Sequence, residues 1–420
     1  MKRTSLLITA LLAAIFLAYW IWPENNRLLE TLSAPVTTSD SEQQVLSGIR
    51  AFPSTIKVTE VAMRPDAVTS RQQALTFTLF GESFSAKVVH SEQVDNPDGT
   101  QSLIWYGNLE PHGTLEPAIK NWQDPLNAVT LVKSGDRITG TIHKGRQLYQ
   151  LRPFSRDRHL ALALAPSKMP PELEPGVPGA KMAPNQAGAS AANTTIDVMT
   201  VVTQRAVDRY QGDMLALMQL AVAEANQGYL NSLIGINLRL VAYQVTDYVP
   251  TPLVTLDLRR LQNPADGYMD DSIVIRDEQR ADIVALIDDY GPYADGSYVC
   301  GYALQDGSAA NSAFAAVNYQ CVPHLTFTHE LGHLQGARHQ ADGDSKTEPY
   351  AFAHGYRFNL GTDAWSTVVT TQCNPSADCP RVNWFSNPNL HYNGVRLGDP
   401  DTADNHRMLE MTKEEISNFR

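Results

Sequence analysis

The stretch that decides the fold runs from residue 329 to residue 339 and reads His-Glu-Leu-Gly-His-Leu-Gln-Gly-Ala-Arg-His. Positions i and i+4 of an α-helix lie on one face, so a helix here directs the side chains of His329 and His333 to one point. Gly336 accepts a left-handed backbone, which ends the helix and turns the chain sharply. The turn brings His339 to the same point from another direction, so the stretch predicts three converging imidazoles.

Three neutral imidazole nitrogens with one open position are the ligand set of a catalytic zinc site. We therefore expect one Zn²⁺ ion bound by His329, His333 and His339. Glu330 follows the first ligand directly and is the expected general base for a metal-bound water. Because zinc lowers the pKa of such a water towards about 7, attack on a peptide carbonyl requires no serine or cysteine nucleophile. The stretch thus predicts a zinc-dependent peptide hydrolase.

Other segments extend this motif. The spacing H-E-x-x-H-x-x-G-x-x-H is that of the metzincin metallopeptidases, and the chain also resembles the bacterial peptidyl-Asp metalloendopeptidases, relatives of the reprolysin group. The resemblance covers residues 196–419 and is carried by IDVMTVV at 196–202, AHGYRF at 353–358 and CPRVNWFSNPN at 379–389. It implies an α/β (α+β) catalytic domain with a twisted mixed sheet and a zinc-binding helix. It also implies cleavage of proteins or peptides on the amino side of acidic residues.

The sequence departs from the metzincin pattern beneath the zinc site, where the family carries a methionine in a turn. Val369 stands at that position, and Thr371 stands where an aromatic residue would be. Valine keeps the floor apolar but makes it smaller, so we expect altered packing rather than loss of zinc. The departure also supports a second hypothesis, a catalytically degenerate metzincin-like binding or adhesion protein anchored at the membrane. A third, a gluzincin peptidase, requires a distant glutamate ligand and leaves His339 unexplained.

A preference for acidic residues requires a cation in the substrate cleft. Arg338, Arg357 and Arg381 are the candidates, because guanidinium groups pair with carboxylates in bidentate geometry. Of these, Arg381 is the expected substrate-binding residue.

Four further polar residues lie near the motif in sequence. Asp342 and Asp344, beyond the third histidine, either orient a ligand imidazole or cap a turn, and the sequence leaves both readings open. We expect His324 and His354 to be polar surface residues rather than additional ligands.

A Pro/Gly/Ala-rich stretch, residues 165–193, divides the chain. It has almost no large apolar side chains to offset its ordering entropy and is predicted to be an exposed linker. Residues 24–164 alternate apolar and polar side chains in short runs between Gly and Asp, which predicts an antiparallel β meander. Residues 194–420 form the metallopeptidase domain. By the resemblance, the first domain is a propeptide removed by cleavage in the linker, and the chain is made as a zymogen.

Helical and strand periodicities alternate after the linker. The segment 196–202 predicts a buried strand, and apolar residues at helical spacing predict one helix from 204 to about 233. Further strands are expected at 238–243, 282–286 and 314–319.

The N-terminus has the pattern of an export signal. Lys2 and Arg3 precede an uncharged apolar run that ends at Pro23. Residues 1–23 are therefore a cleaved signal peptide or an uncleaved membrane anchor. Either reading exports the rest of the chain, which is then secreted, periplasmic or anchored facing outside the cytoplasm.

The four cysteines agree with an oxidising compartment. Proximity in sequence favours the pairs Cys300–Cys321 and Cys373–Cys379, although four cysteines allow three pairings. Since no cysteine precedes Cys300, a propeptide cysteine is not available to silence the zinc.

Composition excludes one class of partner. The 420 residues carry a net charge of −12 and contain no Lys/Arg cluster, so the electrostatic attraction that drives nucleic-acid binding is missing. The sequence leaves the oligomeric state open, with a monomer as our expectation.

Overall fold

The computed structural model describes residues 26–31, 38–155, 158–175, 193–304, 307, 309–347, 350–358, 364–371 and 379–420. The signal peptide or anchor predicted for residues 1–23 lies outside them. Among the described helices, none has both the length and the apolar character needed to cross a bilayer.

The N-terminal part, residues 26–164, is built on one nine-stranded sheet. Its elements are β1 (Leu29–Thr31), α1 (Asp40–Ala51), β2 (Thr55–Met63), β3 (Ala74–Leu79), β4 (Glu82–Asp95), β5 (Gln101–Leu109), β6 (Leu115–Glu116), β7 (Ala128–Ser134), β8 (Arg137–Lys144), β9 (Gln147–Phe154) and β10 (Arg158–Leu164). The order is β1-β2-β10-β9-β8-β7-β5-β4-β3, and all neighbours pair antiparallel. The predicted antiparallel meander is confirmed, while α1, β1, β2, β6 and β10 were not predicted.

The C-terminal part is built on a five-stranded mixed sheet of order β12-β11-β13-β15-β14, in which only the edge strand β14 runs antiparallel to its neighbour. The strands are β11 (Thr194–Thr203), β12 (Ile236–Thr246), β13 (Ile283–Asp288), β14 (Gly301–Ala303) and β15 (Phe314–Asn318). The helices are α2 (Gln204–Tyr210), α3 (Met214–Asn231), α4 (Val254–Gln262), α5 (Asp270–Glu278), α6 (Thr326–Leu334) and α7 (Asn405–Ile416). The predicted mixed sheet is therefore confirmed.

Four short strands complete the C-terminal part: β16 (Arg357–Phe358), β17 (Trp365–Ser366), β18 (Asn387–Tyr392) and β19 (Val395–Leu397). Strand β6 of the N-terminal part joins β18 and β19 in a three-stranded sheet.

The single helix predicted from residue 204 to about 233 is wrong, because the chain forms α2 and α3 instead. Gln211 ends α2 in a left-handed conformation with φ 46°. Asp213 then begins α3 as its N-cap, and its side chain accepts a hydrogen bond from the backbone N–H of Ala216. A cap and a left-handed residue interrupt the helix without changing the spacing of its apolar side chains, so the periodicity did not reveal the break.

The N-terminal part packs against α3. Ile104, Tyr106 and Val132 of its sheet belong to the same buried apolar cluster as the residues of α3. The side-chain amide of Gln219 donates to Asn96 Oδ1 at 2.9 Å across this contact. The two parts therefore share a buried apolar cluster at this contact.

Residues 165–175 pack against both parts of the chain, although Lys168, Pro171 and Glu174 are exposed, which corrects our expectation of a fully exposed linker for this portion. Met169 is buried. The N–H of Cys300 donates to the carbonyl of Pro171, and the N–H of Leu173 donates to the carbonyl of Gly301, both at 2.9 Å. An edge strand presents unpaired backbone groups, and here β14 and the residue before it offer them to the linker. Composition alone does not reveal such a partner.

Candidate metal centre

Helix α6 carries the first two histidines of the motif. Its apolar residues Phe327, Leu331 and Leu334 are buried and fix its orientation against the core. A short 3-10 helix, Tyr319–His324, leads into it. After α6, Gly336 adopts φ 95°, the left-handed backbone expected from the sequence, and the chain then turns back to residue 339.

The turn brings three imidazoles together. The Nε2 atoms of His329 and His333 are 3.0 Å apart, those of His333 and His339 are 3.1 Å apart, and those of His339 and His329 are 3.2 Å apart. All three side chains are buried. The ligand positions expected from the spacing thus form one compact cluster in the described part of the chain.

The opposite ring nitrogens fix the tautomers. The Nδ1 atoms of His329 and His333 lie 2.8 Å from the carbonyl oxygens of Val368 and Ala337, and Nδ1 of His339 lies 3.3 Å from a carboxylate oxygen of Glu174. These oxygens accept hydrogen bonds, so each Nδ1 carries the proton and each Nε2 presents a lone pair.

Three lone pairs that face one another at about 3 Å repel, and a cation between them removes the repulsion. Tetrahedral zinc with bonds of about 2.0–2.1 Å places its nitrogen ligands roughly 3.3 Å apart, close to the spacing found here. Burial lowers the pKa of His329 and of His339 below the usual histidine range, which keeps both imidazoles neutral, as ligands must be. The residues present therefore fit a zinc ion.

The side chain of Glu330, a residue of α6, faces Gly301 of β14. This side chain is buried, and a β-carbon added to Gly301 would overlap its carboxylate. Glycine at 301 therefore allows the edge strand to approach the carboxylate next to the first ligand. The close approach keeps Glu330 in the cleft between α6 and β14.

A turn from residue 366 to residue 371 forms the floor beneath α6. The carbonyl of Val368 holds His329, and Val369 is fully buried. A β-carbon on Gly332, in the middle of α6, would lie 2.7 Å from a methyl carbon of Val369. Valine thus occupies the floor position that the sequence assigned to it.

The guanidinium of Arg381 lies in a polar pocket close to the histidine cluster. It donates to the carbonyls of His324 at 3.2 Å and Thr370 at 2.9 Å. It also donates to both carboxylate oxygens of Glu172, at 2.6 and 3.1 Å. The exposed fractions of the two side chains are 3% for Arg381 and 5% for Glu172. Thr326 adds a hydroxyl bond to Glu172 at 3.0 Å.

The charges of this pocket are matched. Burial raises the pKa of Glu172, but the charge and hydrogen bond of Arg381, together with the nearby histidines, outweigh burial and hold that pKa well below the usual range. Thr326 precedes His329 by three residues on α6, a rise of about 4.5 Å. The pocket therefore lies about one helical turn from the first histidine.

The other two arginine candidates have different partners. Arg338 is buried and pairs with Asp344. The guanidinium of Arg357 donates to the backbone carbonyl of Thr371 at 2.8 Å and lies 3.6 Å from Asp342. Only Arg381, among the three, faces the histidine cluster through its pocket.

The structure favours the turn-capping reading for Asp344, one of the two readings that the sequence left open. Asp344 pairs with Arg338 and accepts a hydrogen bond from the backbone N–H of Lys346, while the carboxylate of Glu174 in the linker faces Nδ1 of the third ligand.

The surface position expected for His324 and His354 is wrong, because both side chains are buried. Nδ1 of His354 lies 2.6 Å from the backbone carbonyl of His339, so this side chain supports the turn that delivers the third imidazole.

A disulfide joins the edge strand to the approach of α6. Cys300, just before β14, is bonded to Cys321 in the 3-10 helix, with a Cα–Cα distance of 5.5 Å, as predicted. Cys379 is also disulfide-bonded. Its predicted partner, Cys373, lies outside the described residues.

Glu172 and Glu174 were not predicted from the sequence. One signal in the sequence could have indicated them. They are the two acidic residues of a linker that is otherwise dominated by Pro, Gly and Ala. Carboxylates in such a segment are candidates for a specific cationic partner.

The comparisons with known proteins agree with this geometry. The profile of metallopeptidase family M12 matches residues 192–386. Peptidyl-Asp metalloendopeptidases of Stenotrophomonas maltophilia strain K279a and Xanthomonas campestris pv. campestris are 41% and 40% identical to this chain, covering 94% of it and 94% and 92% of their own lengths. Metalloproteinase-II of Bacteroides fragilis aligns over 71% of this chain and 85% of its own at 14% identity, with a TM-score of 0.39, too distant to carry an argument. The chain therefore belongs to the peptidyl-Asp metalloendopeptidases of metallopeptidase family M12 and is a zinc-dependent metalloendopeptidase.

Proposed function

We propose that this peptidase is exported and made as a zymogen, that His329, His333 and His339 hold its catalytic zinc, and that Glu330 is its general base. The observation that carries the proposal is the convergence of three Nε2 lone pairs within 3.0–3.2 Å. Each imidazole is held in the required tautomer by an acceptor behind it.

When bound, zinc supplies a Lewis acid that polarises the substrate carbonyl and acidifies a water. The chain's own residues supply proton transfer. Glu330 accepts a proton from the attacking water and passes it to the leaving amine. Its confinement between α6 and Gly301 holds the carboxylate at one place in a cleft that excludes bulk water, which strengthens its electrostatic effect.

We further propose cleavage on the amino side of acidic residues, with Arg381 as the recognition residue. A guanidinium fixed by two backbone carbonyls is preorganised for bidentate binding of a carboxylate. Its position one helical turn from His329 supports contact with a side chain next to the scissile bond. The names of the relatives, peptidyl-Asp metalloendopeptidases, support the same preference.

Two features of the chain support export. The apolar run within residues 1–23 supports export, and the Cys300–Cys321 disulfide supports an oxidising compartment. We propose that residues 24–164 are a propeptide and that processing falls within 165–193.

The test uses the processed protein and an unfolded protein substrate. We expect cleavage that a chelator abolishes and zinc restores, and cut sites, mapped by mass spectrometry, that precede Asp or Glu. Glu330→Gln should retain zinc and lose at least about 100-fold of the activity. An inactive wild type that binds zinc would support the degenerate binding protein instead, and equal activity of Glu330→Gln would remove the general-base role.

A further inference from the structure

We infer that the segment Pro171–Glu174, termed the inhibitory segment, silences the unprocessed enzyme by occupying its substrate cleft, with Glu172 in the pocket that reads the substrate's acidic side chain. The inference rests on the proposed preference for acidic residues and names the device that holds the site closed. It also answers how a chain without a propeptide cysteine can be inhibited.

The first support is the backbone of the segment. Its two hydrogen bonds, between Pro171 and Cys300 and between Leu173 and Gly301, run to β14 or to the residue directly before it. An extended peptide that binds a sheet edge gains its affinity from such main-chain bonds, whatever its side chains. The edge is also the strand that confines Glu330, so a chain lying on it covers the approach to the general base.

The second support is the side chain of Glu172. It forms the bidentate pair with Arg381 and accepts a bond from Thr326 at the start of α6. Both charged side chains of the pair are at least 95% buried. A buried ion pair is tolerated only with good geometry and further hydrogen bonds, and this pocket supplies both.

The third support is the state of the Arg381 pocket after the segment is removed. Arg381 would keep its two backbone acceptors, in His324 and Thr370, but would lose its carboxylate. A buried charge without a partner is costly, so the empty pocket favours any peptide that brings an acid to it. One arginine thus accounts for both the closed zymogen and the selectivity of the open enzyme.

The fourth support is the position of Glu174. Its carboxylate lies 3.3 Å from Nδ1 of His339, so the segment touches the cluster at the third histidine while Glu172 lies near the first. The segment therefore contacts the surroundings of the metal centre at both ends, near the first histidine through Glu172 and behind the third through Glu174. A substrate would have to displace it.

The experiment compares intact chains that carry Glu172→Gln, Glu172→Asp or the control Glu278→Gln, an exposed glutamate on α5. Initial rates on a peptide with one Asp are measured while mass spectrometry confirms that the chain is uncut. We expect Glu172→Gln to raise the activity of the intact chain about 30-fold or more over the intact wild type, since one partner of a buried charge pair is removed. The activity of the intact Glu172→Asp chain, which retains the charge, should rise less, and the activity of the control should not change.

A second readout does not depend on activity. Hydrogen exchange at the amide of Cys300 should accelerate in Glu172→Gln, because this N–H is bonded to Pro171 of the segment, and remain slow in Glu278→Gln. After processing, wild type and Glu172→Gln should be equally active. If the processed enzyme cuts before acidic residues while the intact Glu172→Gln chain stays silent and its Cys300 amide stays protected, the inference fails and the proposed function stands. If the processed wild type is inactive, or cuts without regard to acidic residues, the proposed function itself fails.

Discussion

Glu224 on α3 makes the contact between the two parts of the chain sensitive to pH. Its carboxyl group is buried against the N-terminal sheet, where one oxygen accepts a hydrogen bond from the hydroxyl of Thr141 on β8. Among the described residues, its second oxygen has no hydrogen-bond partner. Burial raises the pKa of Glu224 to about 8, so the group is protonated in the folded chain at neutral pH.

The sign of the pH dependence follows from this shift. The folded state holds a proton that the unfolded state, with its ordinary pKa of 4.5, releases. The contribution of Glu224 to the free energy of unfolding is therefore largest below pH 4.5 and falls as the pH rises towards 8. Above pH 8 it no longer changes. Each pH step of one between these values costs at most about 1.4 kcal/mol. The loss from pH 5 to pH 7 is about 2–3 kcal/mol.

Replacement of Glu224 by Gln removes the ionisation and keeps the shape of the side chain. We expect the Gln chain to be more stable than the parent at pH 7 by about 3 kcal/mol and to lose this share of the pH dependence. The assay is urea unfolding at pH 5, 6, 7 and 8 in the Glu330→Gln background, which prevents self-digestion, at constant zinc. Glu278→Gln is the matched control. Parallel pH profiles of the Glu224→Gln chain and its parent would show that Glu224 does not hold the extra proton.

Three further perturbations probe the site. Gly301→Ala places a methyl group against the Glu330 carboxylate. We expect the variant to bind one zinc per chain, measured by mass spectrometry, and its kcat to fall at least about tenfold. An unchanged kcat would contradict the close approach. Val369→Met should overpack the floor and lower stability by about 1–3 kcal/mol in urea unfolding, whereas a gain in stability would mean that the floor holds unfilled space. Loss of the disulfide in Cys300→Ser with Cys321→Ser, a separation of 21 residues, should cost about 2–4 kcal/mol, and an unchanged unfolding midpoint would show that the bond carries no stability.

The metal centre could be predicted from sequence because its geometry is local. His329 and His333 are one helical turn apart, and Gly336 fixes the turn that delivers His339. Each relation spans at most ten residues and follows from helix geometry and from the conformational freedom of glycine. The apolar floor of Val369 was also predictable, through the resemblance.

The Arg381 pocket could not be predicted in full because its partners are distant in sequence. Arg381 and Glu172 are 209 residues apart, and no periodicity links them. Arg381 was named as a candidate on its charge alone. Glu172 was hidden in a segment whose composition predicts exposure, since a low apolar content says nothing about one specific ion pair.

Element boundaries failed where one residue decides them. The left-handed Gln211 and the N-cap Asp213 divide one apolar stripe into two helices. Strands β2 and β10 were missed although they pair with each other, because their pairing joins segments about 100 residues apart.

The most direct test of the metal centre is a crystal structure of the intact, zinc-loaded chain, with data collected at the zinc absorption edge. We expect one anomalous peak bonded to Nε2 of His329, His333 and His339 at about 2.0–2.1 Å, with the Glu172 carboxylate on Arg381. Zinc bound at other residues, or an Arg381 pocket without Glu172, would contradict this expectation.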